Sequence, residues 1–185
     1  MSSRDCPSCA DAEAEPASVW ERGARIALAL GIFALWLRFF RSEAYFSPVD
    51  FVNLAFHEAG HVIFGFLGTF IMVCGGTLMQ LLLPAACLVE CLRRDSLFGA
   101  QLCLCWIGEN IINISIYMAD ARRQALPLIG GGMHDWTYLF EVMGVLPKNE
   151  GIAKGVFVLG SLVMLAAAGA IAAGGWTARR QTRSC

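Results

Sequence analysis

The stretch "VDFVNLAFHEAGHVIFGFLGTFIMV", Val49 to Val73, is apolar enough to read as one membrane-crossing helix, yet it holds His57, Glu58 and His61 within a single turn and a half. About twenty mostly apolar residues suffice to cross a hydrocarbon core of ~30 Å. A lone charged group at mid-bilayer costs ~2.5–3.5 kcal/mol on insertion scales. Three ionisable groups placed together there need a compensating partner, and a divalent cation is the strongest one available. The reading of this stretch therefore sets both the expected fold and the expected chemistry.

Working outward, four more apolar segments flank it. The first, Ile26–Phe40, is short, with Arg22 and Arg25 before it and Arg38 and Arg41 at its end. Those side chains can snorkel, so a short core still spans. No small-residue cleavage site follows, so an uncleaved anchor helix is expected rather than a signal peptide. Gly75–Leu92 stops at Arg93, Arg94 and Asp95, and Pro84 within it is expected to kink the helix. Leu97–Ala119 is next. Ile152–Trp176 is the last, ending in Arg179, Arg180 and Arg183. Its Ala166, Ala170 and Gly174, at four-residue spacing, offer a small-residue face for close packing. Ser47 and Pro48 mark the start of the motif-bearing helix.

The expected fold class is all-α: a polytopic transmembrane helical bundle of about five spanning helices. One domain over residues 21–178 is expected, preceded by a polar, acidic tail over 1–20 and followed by a basic tail over 179–185. Composition agrees, because 57% of the 185 residues are hydrophobic and only 16% charged, less than a soluble domain carries. The expected setting is integral and multi-pass, in a bacterial cell membrane, with lipid as the surrounding partner. The net charge of −1 and the lack of a basic block exclude nucleic acid as an expected partner. With five spans, Lys and Arg divide evenly between the two sides, so the positive-inside rule assigns no orientation.

HEAGH is an instance of HExxH. Residues four apart on a helix share a face ~5–6 Å apart, so His57 and His61 can bind one metal ion. Glu58 is rotated off that axis but can reach a water activated by the metal and take its proton. Catalytic zinc needs three protein ligands and one open position. Three candidates for the third ligand remain open. His134 and Asp135 lie together in "GGGMHDW", where one can bind metal while the other orients a ligand or caps the following short helix. Glu109, deep in the fourth apolar segment, is the third candidate, unless its carboxyl is simply hydrogen-bonded to Asn110 and Asn113. Asn113, Tyr117 and Asp120 continue a polar stripe that can line a water-accessible cavity. Asn113 and Gln80 are candidates for contacting a substrate. The connection over residues 120–150 is long for a structureless loop, which points to function, and "WTYLFEVMGVL" within it reads as a short helix.

The eight cysteines suggest no disulfide framework. Cys74, Cys87, Cys91, Cys103 and Cys105 sit in or beside apolar segments, where Cys behaves as a small hydrophobe. Cys6 and Cys9, in "CPSC", have no second Cys or His pair nearby to complete a zinc site.

The chain resembles the site-2 protease family of intramembrane zinc metallopeptidases. The resemblance rests on HEAGH in a hydrophobic helix and on the later Leu-Pro- and Gly-containing segment "LPLIGGGMHDW", and it covers about residues 49–140. It implies Zn2+ as cofactor, His57 and His61 as metal ligands, Glu58 as the water-activating base and Asp135 as third ligand. The family's "LDG" sequence is absent here, and His134 directly precedes the Asp. The implied activity is hydrolysis of peptide bonds in single-span membrane proteins or membrane-embedded peptides. The competing expectation is a non-catalytic membrane protein with a structural or transport metal site. A structural site would close all four positions, for example with His57, His61, His134 and Asp135.

Overall fold

The computed structural model describes residues 18–42, 46–127 and 132–174. Expectations that fall on the N-terminal tail, on Cys6 and Cys9, on Gly130 and Gly131, and on the basic C-terminal tail lie outside the described residues. Six helices make up the bundle: α1 (Val19–Arg41), α2 (Asp50–Phe64), α3 (Thr69–Arg93), α4 (Leu97–Asp120), α5 (Asp135–Val142) and α6 (Asn149–Ala172). No strand occurs among the described residues. Four helical units are long and apolar enough to cross a membrane: α1, α3, α4, and α6 together with the 3-10 turn before it, Leu146–Ala172.

Each boundary has a local cause. Ser18 caps α1 by accepting the Glu21 amide, while the Glu21 carboxylate accepts the Ser18 amide. This reciprocal pair satisfies two of the free donors at a helix start. The expected second span, Val49–Val73, is broken. Its helix ends at Phe64, a 3-10 turn follows over Gly65–Leu67, and Gly68 at φ +92° reverses the chain. Only glycine takes that backbone conformation freely. With 15 residues, α2 reaches about 22 Å, short of a full crossing. It lies antiparallel on α3, and Thr69–Val73 belongs to α3. That helix runs uninterrupted past Pro84.

The closest helix contacts are made at glycines. A Cβ on Gly75 would lie 2.7 Å from the Gly60 carbonyl oxygen, so α2 and α3 meet backbone to backbone. A Cβ on Gly108 would lie 2.6 Å from the Met164 amide nitrogen, and one on Gly160 2.9 Å from the Gly108 carbonyl oxygen. This is the α4–α6 contact. It uses a different face of α6 from the expected one: Gly160, Met164, Ala167, Ala168 and Ile171 turn inward, whereas Ala166 is exposed. Helix α4 is central, with half of its apolar window buried, and α1 is peripheral with 6% buried. Helix α1 rests on α6, where the Trp36 indole donates to Ser161 Oγ at 3.0 Å.

Candidate metal centre

Helix α2 begins on a second reciprocal pair. The Ser47 amide donates to Asp50 Oδ2 at 2.5 Å, and the Asp50 amide to Ser47 Oγ at 3.3 Å. From that start, Asp50, Asn53, His57 and Gly60 share the buried face of the helix, the face turned to the rest of the bundle. One turn beyond His57, His61 follows at the four-residue spacing that keeps both rings on one side. Their centroids are 4.8 Å apart, with the rings nearly perpendicular.

Each imidazole is held by its Nδ1. His61 Nδ1 lies 2.9 Å from the Met72 carbonyl oxygen, and His57 Nδ1 lies 3.3 Å from Gln80 Oε1. A carbonyl oxygen only accepts, so both Nδ1 atoms carry a hydrogen, and in the neutral ring that leaves the Nε2 lone pair available to a metal. Those two Nε2 atoms face one carboxylate oxygen. Asp135 Oδ2 is 2.8 Å from His57 Nε2 and 3.2 Å from His61 Nε2. At these distances the carboxylate is bridged to the rings either by Nε2 hydrogens or by a cation that takes their place. The donor set of two imidazoles and one carboxylate therefore fits a metal ion, and its ligand atoms all lie within 4.8 Å of one another.

Asp135 reaches the site because α5 starts there. Its backbone amide, free at the helix start, donates to the Tyr117 hydroxyl at 3.3 Å. His134 does not join the ligand set. Its Nδ1 accepts the Thr137 amide and caps α5, and its Nε2 points to Asp120 Oδ2 at 3.6 Å. Burial lowers the His134 pKa, in keeping with a neutral ring that accepts at Nδ1. The ring stacks against Tyr117 with centroids 4.2 Å apart. Asp120 accepts the Ala125 and Leu126 amides, each at 3.0 Å, and so ties the residues that follow α4 to its last turn.

Glu109, the third candidate, also lies outside the ligand set. Its carboxyl binds Ser47 Oγ at 3.0 Å and Asn53 Nδ2 at 2.8 Å. The expected partners Asn110 and Asn113 bond elsewhere: Asn110 to the Trp106 carbonyl, Asn113 to Asp50 and Gln80. Gln80 and Asn113 are bonded to each other, and both also line the cavity beside the histidines.

Beside the ligands is a cavity of about 570 Å³. Glu58 lines it with His57, His61 and Asp135, and Phe46, Phe51 and Met133 contribute apolar wall. It has the size and the mixed lining of a small-molecule or peptide site. Sequence reasoning missed Asp50 and Asn53. Their signal was legible, since Asp50, Asn53 and His57 fall at helical spacing on the α2 face that also carries the motif. Comparison of the chain with protein-family models, with curated proteins and with solved structures finds no match.

Proposed function

We propose that the chain is an intramembrane zinc metallopeptidase of a bacterial cell membrane, acting on single-span membrane proteins or membrane-embedded peptides. The observation that carries this reading is the use of His134 as the cap of α5, which leaves three protein ligands beside a cavity instead of a closed set of four. Structural zinc sites are closed, and catalytic ones keep a position open. That favours an enzyme over a structural metal site.

His57, His61 and Asp135 would hold the ion. When bound, zinc supplies Lewis acidity that polarises a carbonyl and makes water nucleophilic near neutral pH. Glu58, half-buried in the cavity wall, takes the proton from the attacking water and passes it to the leaving amine. The apolar cavity wall receives side chains from an unwound stretch of the substrate, and Leu54 and Val73 extend that wall.

The deciding experiment uses the full chain in lipid nanodiscs with a panel of single-span substrates. Glu58→Gln is expected to keep one zinc per chain and lose all cleavage. Stoichiometric zinc in the unaltered protein with no cleavage of any substrate would transfer the site to the structural reading.

A further inference from the structure

Away from the ligands, the most heavily engaged buried groups are two carboxyls. Asp50 is 1% exposed and Glu109 3% exposed, and the two share their partners, Ser47 and Asn53. Two carboxyls buried side by side on the same donors repel each other when both are ionised, so one of them holds a proton. Donor counting locates it. Asp50 receives three N–H groups: the Ser47 amide at 2.5 Å, Asn113 Nδ2 at 2.8 Å and Asn53 Nδ2 at 3.4 Å. The Asn53 orientation is set from the other side, because the Trp106 indole, a donor only, binds Asn53 Oδ1 at 2.8 Å. Glu109 receives only Asn53 Nδ2 and the Ser47 hydroxyl. The carboxyl with the larger donor set is the better site for the charge, which places the anion on Asp50 and the proton on Glu109. Keeping one of the two neutral also halves the charge placed in the interior of the bundle.

The charge on Asp50 orders what lies beyond it. Asn113 must present its NH2 to Asp50, so its carbonyl faces Gln80, whose Nε2 donates to it at 3.0 Å. Gln80 then has only its carbonyl left for His57 Nδ1, at 3.3 Å. Amides in series pass on orientation rather than protons. We propose that Glu109 is a neutral acid whose hydrogen keeps Asp50 as the single ionised anchor of the chain Asp50–Asn113–Gln80–His57, and that this chain positions His57 for metal. The proposal rests on the metal centre of the preceding section but not on hydrolysis. Asp50, Asn113 and Gln80 are positioning residues. Partners of this kind behind a ligating histidine alter metal affinity by about 10–100-fold.

The test measures zinc affinity of the full chain in nanodiscs by chelator competition, with helical content as a folding control. Glu109→Gln replaces one neutral donor by another and is expected to bind zinc within about twofold of the unaltered protein. Asp50→Asn and Gln80→Leu are expected to bind about 10–100-fold more weakly. Two spectroscopic readouts stand apart from affinity and folding of the variants. The unaltered protein at neutral pH is expected to show the infrared carbonyl band of a protonated carboxylic acid, lost in Glu109→Gln. Its His57 is expected to show a 15N signature of the Nδ1–H tautomer. A Glu109→Gln loss as large as that of Asp50→Asn, or no protonated-acid band, would overturn the proton assignment. Unaltered affinity in Asp50→Asn and Gln80→Leu would overturn the positioning role. Failure of the unaltered protein to bind zinc at all would instead defeat the metal centre itself.

Discussion

The Met72 carbonyl oxygen, in the first turn of α3, lies 2.9 Å from Nδ1 of His61 on α2. One candidate metal ligand is thus oriented by backbone, whereas its neighbour His57 is oriented by the Gln80 side chain. The α2–α3 hairpin makes this possible: it brings the start of α3 alongside the end of α2, where the second motif histidine stands.

Because the group that holds His61 is a carbonyl, the identity of the side chain at 72 is expected to matter little. Met72→Leu should leave zinc affinity within about twofold, since volume-conserving apolar exchanges are well tolerated. His61→Ala should lower affinity by more than about 100-fold, because it removes a ligand rather than a supporting partner. Chelator competition on both variants checks the contrast. A large loss in Met72→Leu would show that the side chain, not the carbonyl, holds the ring.

Gly76 should be intolerant of any side chain. A Cβ there would lie 2.6 Å from His57 Nε2 and 2.7 Å from Cε1, well inside van der Waals contact. Gly76→Ala is therefore expected to displace the imidazole and weaken zinc binding by at least about tenfold, with helical content unchanged. Normal affinity in that variant would mean that the ring has room the structure does not provide.

Tyr117→Phe should loosen the third ligand. The phenol oxygen accepts the Asp135 amide, and its ring stacks on His134, so the exchange removes only the hydroxyl. An unpaired, partly buried amide costs about 1–3 kcal/mol. Reduced zinc affinity is expected, together with faster amide hydrogen exchange over the start of α5. Unchanged exchange at Asp135 would contradict this account.

Gly160→Val should destabilise the bundle without touching the metal site. Its added Cβ would meet the Gly108 carbonyl oxygen and the Ile112 amide nitrogen, each at 2.9 Å, and backbone yields little there. Overpacking of this kind costs about 1–3 kcal/mol. Thermal or denaturant unfolding in detergent is expected to show that loss, while any folded fraction retains zinc affinity. Ala166→Val, on the exposed face of α6, serves as the neutral control.

Much of the fold was legible because helical membrane segments announce themselves locally. Apolar length and flanking arginines marked α1, α3, α4 and α6. Where the reading ran long, at Val49–Val73, the missed signal was Gly65 and Gly68, whose effect depends on a φ of +92° at Gly68 and not on hydropathy. The packing face of α6 was misassigned for a related reason. Two helices can approach at any small residue, and only the position of α4 selects Gly160 over Ala166.

In the candidate site, His57, Glu58 and His61 follow from spacing along one helix, which holds wherever the helix sits. The third donor does not. His134 and Asp135 are adjacent and chemically equivalent as ligands on paper. One of them caps α5 through its Nδ1, and the Tyr117 hydroxyl holds the amide of the other.

The sequence by itself determined an all-helical membrane chain and a pair of histidines on one helix face, because both depend on residues within a few turns of one another. Only the tertiary structure decided that Asp135 meets them, that His134 and Glu109 do not, and that Asn113 and Gln80 link Asp50 to His57. Those contacts join residues dozens of positions apart, and their geometry depends on how closely the helices approach at glycines.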